Sequence, residues 1–170
     1  YKYFNLLNSW IDISDGLEIS QFYKIGLSKN NDYTLVVGAQ DNGTERLTGT
    51  TWDAIRGSDG MECIIDPYYD DLIFSSSQYG GLKITENGGD DWDNFKPVSY
   101  EGAWVTPYKM HPQDHNIIVS GYKVVYRTTN ATASNASATW DSISPQFGEL
   151  KTIALAPSDL NYIYAATYSG

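Results

Sequence analysis

Apolar residues along this chain come in short runs that are repeatedly cut by glycine, asparagine, aspartate or proline. Ile64-Ile65 stops at Asp66-Pro67 and resumes as Leu72-Ile73-Phe74. Met110 gives way to His111-Pro112 before Ile117-Ile118-Val119, and Leu155-Ala156-Pro157 precedes Tyr162-Ile163-Tyr164. The runs are rich in β-branched and aromatic residues, which suit the half-buried surface of a pleated sheet. No window places apolar positions at helical spacing. The pattern predicts an all-β chain of short strands.

The runs also repeat. Pro67, Pro112 and Pro157 are spaced 45 residues apart, and Asp114 and Asn116 recur as Asp159 and Asn161. A weaker upstream copy runs from Tyr23-Lys24-Ile25-Gly26-Leu27, through a turn at Asn30-Asn31-Asp32, to Tyr33-Thr34-Leu35-Val36-Val37. Tryptophans keep a similar beat at Trp10, Trp52, Trp92 and Trp140. A period of about 45 residues with room for four short strands is that of one β-propeller blade. The spacing divides the chain into units over 16–56, 57–97 and 98–145, an incomplete unit over 146–170, and the end of a preceding blade over 1–15. The expectation is a single domain, a partial β-propeller of about three and a half four-stranded antiparallel blades. An open fan leaves strand edges free to pair, and closed propellers have typically four to eight blades. The chain is therefore expected to belong to a longer propeller or to be completed by an assembly partner.

Charge narrows the partners. Lys plus Arg is 11 against 21 for Asp plus Glu, a formal net charge of −10. With Arg46, Arg56 and Arg127 its only arginines, the chain is poorly suited to nucleic acid or an anionic membrane. No apolar run has the roughly 18 residues of a membrane-spanning helix. Charged residues are 19% and aromatics 14%, a balance that argues against disorder. The single cysteine, Cys63, can form no internal disulfide or zinc cluster and reads as a small buried hydrophobe. The chain opens at Tyr1 without a signal-peptide pattern, as expected of a mature product or an excised fragment.

Thr85-Glu86-Asn87-Gly88-Gly89-Asp90-Asp91-Trp92 falls between the third and fourth strands of the second unit. A short polar side chain can hold such a turn through its backbone, glycine supplies positive φ, and an indole can pack beneath. The stretch resembles the Asp-box, or bacterial neuraminidase repeat, whose pattern is Ser/Thr, any, Asp, any, Gly, any, Thr, Trp. Asn87 stands here for Asp and Asp91 for Thr, and Thr85, Asn87, Gly89 and Trp92 take structural roles. Degenerate copies are Gly49-Thr50-Thr51-Trp52, and Thr128-Thr129-Asn130 with Thr139-Trp140, the latter lengthened by Ala131 to Ala138. The wider phrasing, such as Asp15-Gly16-Leu17-Glu18, Gln40-Asp41-Asn42-Gly43-Thr44, Asp59-Gly60-Met61-Glu62-Cys63 and Gly102-Ala103-Trp104-Val105-Thr106-Pro107, resembles large secreted proteins of the Bacteroidota. Their propellers are sortilin-like and related in form to glycoside hydrolase family 74. The resemblance covers essentially the whole chain and implies secretion or display at the cell surface, by the type IX route. It also implies that Asp-box hairpins lie on the face opposite the active face of sialidase-type propellers.

The other face is then built from the second-to-third strand loops and the blade-to-blade loops. These are Gln40-Asp41-Asn42-Gly43, Gly57-Ser58-Asp59-Gly60, Gln78-Tyr79-Gly80-Gly81, Tyr100-Glu101-Gly102-Ala103-Trp104 and Gly121-Tyr122. Carboxylates, amides and aromatics mix there as sugar binding requires: rings stack on Trp or Tyr while Asp, Asn and Gln bond hydroxyls. The ligand-binding candidates are Gln40, Asn42, Gln78, Tyr79, Glu101, Trp104 and Tyr122. The plainer alternative is that they only shape turns, which favour such residues anyway. A glycosidase needs two carboxyl groups roughly 5–9.5 Å apart, and Asp41 and Asp59 are the catalytic candidates, with Glu62 and Glu101 in reserve. Sialidase chemistry needs three converging arginines, whereas those here fall beside third and fourth strands.

Other residues have side chains that could carry chemistry. His111 and His115 bracket Pro112 in a turn rather than sharing a helix face, so they are not expected to ligate metal. Asp66, Asp70 and Asp71, and Asp90, Asp91 and Asp93, have the oxygens calcium takes but not the EF-hand spacing. They read as solvated turns, and no cofactor is assigned, calcium being the one ion these oxygens would suit. Asn42, Asn130 and Asn135 head Asn-x-Ser/Thr sequences, relevant only in a host that N-glycosylates. Asp141-Ser142-Ile143 resembles the short O-glycosylation sequence of the Bacteroidota and singles out Ser142. Three functions compete: a propeller module of a secreted or cell-surface bacterial protein serving adhesion, carbohydrate contact or assembly without catalysis; a glycoside hydrolase acting on β-glucan through a carboxylate pair; and a sortilin-type module that captures peptide or protein. The expected partner is polysaccharide or protein on the loop face.

Overall fold

The computed structural model describes residues 2–5, 7–13, 15, 19–133 and 137–168. A short hairpin of β1 (Lys2–Phe4) and β2 (Ser9–Ile11) comes first. Three antiparallel four-stranded sheets follow. The first holds β3 (Phe22–Leu27), β4 (Thr34–Ala39), β5 (Gly43–Thr48) and β6 (Thr51–Arg56). The second holds β7 (Gly60–Ile65), β8 (Ile73–Ser77), β9 (Gly81–Thr85) and β10 (Asp93–Asn94). The third holds β11 (Tyr108–His111), β12 (Asp114–Gly121), β13 (Val125–Thr128) and β14 (Asp141–Ser142). A fourth sheet has β15 (Leu150–Leu155) paired with β16 (Ile163–Thr167). Each strand pairs with its neighbour in sequence, so every sheet is a meander. The chain is all-β and forms a partial β-propeller, each four-stranded sheet being one blade.

Packing explains the repeat. The second strand of a blade has partners on both edges and blades on both faces, so it reads as a continuous apolar run. Val36, Val37, Ile73, Phe74, Ile118 and Val119 are accordingly almost fully buried. Hydrophobic clusters sit between blades rather than within them. Val36 of blade one packs with Cys63, Ile65 and Ile73 of blade two. Phe74, Leu82 and Ile84 of blade two pack with Tyr108 and Ile118 of blade three, and Val119 and Val125 of blade three with Leu150 and Ile153 of β15. Blades one and two approach so closely that a Cβ on Gly38 would strike the Met61 carbonyl, and one on Gly60 the Gly43 carbonyl. The outermost strands β10 and β14 have two residues each, which leaves little edge for another chain to pair with.

The first strands share one wall. β3, β7 and β11 line a groove of about 310 Å3 that includes Ile25, Leu27, Glu62, Lys109 and Met110. At one end of that wall the first-to-second strand turns are bonded across each interface. Ser28 donates to Asp70 Oδ1 at 2.6 Å, His115 Nδ1 meets Asp66 Oδ2 at 2.7 Å, and His111 Nε2 lies 3.3 Å from the Ala156 carbonyl.

Candidate functional site

In an antiparallel meander, the first-to-second and third-to-fourth connections leave one end of the blade. The second-to-third and blade-to-blade connections leave the other. The two ends have different chemistry here.

At the first end, polar side chains hold turns. Thr85 Oγ1 donates to Asn87 Oδ1 at 2.8 Å and accepts the Gly89 N–H at 3.0 Å, while Asn87 Oδ1 also accepts the Asp91 N–H at 3.0 Å. Gly88 and Gly89 hold φ values of +75° and +116°, a region L side chains rarely adopt. Blade three builds the same arrangement around its insertion: Thr128 Oγ1 donates to Asn130 Oδ1 at 2.9 Å, which also accepts the Thr139 N–H at 2.9 Å. Several carboxylates are engaged by protein donors. Asp66 accepts the N–H groups of Tyr68 and Tyr69 as well as His115. Asp70 is bonded by Ser28 and Asn30, and Asp71 by Arg46 at 2.9 Å. The expectation that Asp66 belongs to a solvated turn is corrected, because it is fully buried. His111 and His115 serve different interfaces, with partners just after β15 and in blade two respectively.

The other end gathers aromatic and amide groups. Tyr79 sits in the left-handed region with φ 58°, in a one-turn 3-10 segment. This costs a non-glycine residue of the order of 1 kcal/mol and is a form of strain that concentrates at functional sites. Two backbone bonds hold it: the Tyr79 N–H donates to the Trp104 carbonyl at 3.2 Å, and the Gly102 N–H to the Tyr79 carbonyl at 3.0 Å. The two rings meet edge to face, 5.1 Å apart at 87°, and each remains about 40% exposed, at 42% and 40%. Trp104 Nε1 donates to the Tyr23 hydroxyl at 3.3 Å, and Tyr23 donates to Gln40 Oε1 at 3.1 Å. Gln40, Tyr79 and Trp104 are thus brought together, with Tyr23 joining them from β3. Tyr23 was missed by sequence reasoning: one of 14 tyrosines, on a strand, it had no signal to separate it from core.

Asp59 Oδ1 accepts the backbone N–H of Asp41 at 2.7 Å, so one carboxylate of the suggested pair holds the turn that presents the other. Asp41 has φ 61°. Asn42 is exposed and donates to Ser20 at 3.4 Å, and Glu101 is exposed. Gln78 Oε1 is buried, with no hydrogen-bond partner among the described residues. Tyr122 is corrected: it is fully buried, its hydroxyl donates to the Gly80 carbonyl at 2.6 Å, and it supports the Tyr79 turn from beneath. Glu62, held in reserve, is buried on the inner wall, 2.7 Å from Lys109 and 4.0 Å from Lys24. Ser142 is exposed on β14. Asn130 has its amide oxygen committed to its own turn, and Asn135 lies outside the described residues.

Electrostatics separates structural groups from available ones. Burial, and then the Glu62 charge, push the Cys63 thiol up to about 12, so it stays a protonated thiol in the inter-blade core. Burial lowers the Arg56 guanidinium from its usual value. Arg56 spans to blade two, donating to the carbonyls of Ser75 and Gly81, each at 2.6 Å. Arg46 likewise bonds the Gly88 carbonyl and Asp71.

No family model matches the chain, and no curated protein matches it significantly. Solved structures do. An ancestral enzyme of glycoside hydrolase family 74 superposes with a TM-score of 0.67 at 14% identity, over 88% of this chain and 22% of that one. The family 74 enzyme of Niastella koreensis superposes with a TM-score of 0.64 at 16% identity, over 85% of this chain and 26% of that one. The chain shares the fold of these enzymes and spans about a quarter of their length.

Proposed function

We propose that the chain is part of a propeller of a secreted or cell-surface bacterial protein, and that it holds polysaccharide on its loop face without itself performing catalysis. One observation carries the reading: Tyr79 and Trp104 present two exposed rings at a fixed angle, held by two backbone bonds across a strained turn. Rigid aromatic surface at low entropic cost is what a ring-stacking site needs. Gln40, joined to Trp104 through Tyr23, supplies a hydrogen-bonding amide, and Asn42 and Asp41 line the same cleft as Gln40. In the same reading the turns at Thr85–Trp92 and Thr128–Trp140 are Asp-boxes with structural roles, and Ser142 is an O-glycosylation site. Affinity electrophoresis in gels containing soluble β-glucan tests the proposal. Retardation of the protein is expected, and it is lost in Trp104→Ala. Equal mobility with and without the polymer would overturn it.

The fold shared with family 74 enzymes favours a second reading, in which the whole protein is a glycoside hydrolase and Asp41 and Asp59 take part. Release of reducing ends from β-glucan, abolished in Asp41→Asn and Asp59→Asn, would establish it. Release unaffected by both substitutions would reject the pair.

A further inference from the structure

Trp104, Tyr23 and Gln40 form a hydrogen-bonded row whose direction chemistry fixes. An indole nitrogen can only donate, so the Tyr23 hydroxyl oxygen must accept the Trp104 N–H, at 3.3 Å. The single proton of that hydroxyl is then free to go to Gln40 Oε1, at 3.1 Å. Gln40 meets Tyr23 with its carbonyl oxygen, which leaves both N–H bonds of the amide for the opposite side. Gln40 is also one of the residues lining a cleft of about 310 Å3, with Ser20, Gln21, Asp41 and Asn42. Tyr23 stands on the first strand of blade one, whereas Trp104 arrives 81 residues later in the connection between blades two and three. One hydroxyl therefore sets two things together: the plane of an exposed indole and the polarity of a half-buried amide.

We infer that Tyr23 is the positioning residue of the saccharide site. A bound sugar stacks on the Trp104 face and lays an acceptor oxygen against Gln40 Nε2, and Tyr23 makes both surfaces available at once. The inference rests on the carbohydrate reading of the loop face. Tyr23→Phe keeps the ring but severs both bonds, so the indole is free to turn and the amide free to flip. Gln40→Glu keeps an acceptor for the Tyr23 proton but has no N–H to offer a ligand.

Two readouts on the same proteins test it. The first, without ligand, is the Trp104 contribution to tryptophan emission, obtained by subtracting the spectrum of a Trp104→Phe protein in each background. The second is calorimetric binding of cellohexaose, with thermal midpoints confirming that each variant is folded. Tyr23→Phe is expected to shift the Trp104 emission and weaken cellohexaose about tenfold, the scale of one or two hydrogen bonds. Gln40→Glu is expected to keep the parent emission and lose affinity to a similar extent. Parent emission and parent affinity in Tyr23→Phe would overturn the positioning role, and parent affinity in Gln40→Glu would overturn the donor assignment. A shifted emission in Tyr23→Phe, with no cellohexaose binding by the parent, would leave the row intact. It would overturn its service to a saccharide together with the carbohydrate reading.

Discussion

The indole of Trp92 donates to the carbonyl of Ile55, 2.8 Å away in the outermost strand of the preceding blade, and shares the same hydrogen with Gly89 at 3.1 Å. The residue that ends the turn of one blade is thus also the fastener to its neighbour. Trp140 repeats the idea by packing, edge to face on Phe95 at 5.2 Å. This explains why tryptophans mark the repeat: a large ring with one polar handle can fill an inter-blade gap and satisfy a carbonyl within it.

Trp92→Phe should keep most of the packing and lose the hydrogen bond. The Ile55 carbonyl would lose its indole donor, so a loss of about 1–2 kcal/mol is expected. Urea denaturation followed by circular dichroism measures it. A midpoint equal to the parent's would mean that the indole hydrogen bond contributes nothing to the joint between blades.

Arg56 makes a second joint at the same interface. Its guanidinium reaches the Ser75 and Gly81 carbonyls and lies 5.6 Å from the Trp92 ring. Lysine cannot reproduce that fork. Arg56→Lys is expected to destabilise by about 1.5–3 kcal/mol, the range for hydrogen bonds to charged groups, and Arg56→Met by at least as much. The thermal midpoint reads both. Equal midpoints for parent and Arg56→Lys would show that any cation suffices.

How much of this is legible before the structure depends on what generates each signal. The propeller is legible because a second strand with blades on both faces must be apolar, and that need writes the same run at Phe74 and Val119, 45 residues apart; Tyr164 follows 45 residues later on the edge strand β16, where it is exposed. The loop face is partly legible. Gln40, Tyr79 and Trp104 fall on it because connections of the same kind leave the same end of a meander. Tyr122 occupies the hairpin position that Gln40 and Gln78 occupy in their blades, yet it is buried. Gly80 has no side chain, and the space a Cβ would take is filled by the Tyr122 ring. That exchange links residues 42 apart, and no local pattern records it. The hydrogen bond between His115 and Asp66, and the row through Tyr23, are hidden for the same reason: each joins separate blades.

Alkaline stability should report the buried phenols. Tyr100 is itself 37% exposed; partial desolvation, and then the hydrogen bond to Tyr126, hold it up at about 12. Burial likewise raises Tyr108 well above its usual value, and Tyr122 as well. An acid whose folded pKa is raised keeps its proton more tightly when folded. The associated stability is complete below the unfolded value near 10 and declines as pH rises through the folded one. The denaturant midpoint is expected to fall from about pH 10 upward, mostly through Tyr108 and Tyr122, and Tyr100→Phe to make that fall only slightly shallower because solvent screens its partly exposed ring. A midpoint independent of pH between about 9 and 12 would contradict the burial argument.

The turn at Thr85–Trp92 carries a pair of departures from the Asp-box pattern that compensate each other. Asn87 accepts the Asp91 N–H with Oδ1 and turns its Nδ2 toward the Asp91 carboxylate, 3.3 Å away. An aspartate at 87 would still accept the N–H but would set two carboxylates against each other. Asn87→Asp, although it restores the pattern's own residue, is therefore expected to destabilise by about 0.5–1 kcal/mol at neutral pH, on the scale of exposed charge pairs. Asp91→Thr removes the second charge, as Thr139 does beside Asn130 in blade three, where the amide oxygen accepts the Thr139 N–H at 2.9 Å. The double variant should recover most of the loss, so the two substitutions are non-additive in a thermodynamic cycle. High salt should shrink the penalty of the single variant. Strict additivity, or a single variant more stable than the parent, would mean that Asn87 and Asp91 do not interact through their side chains.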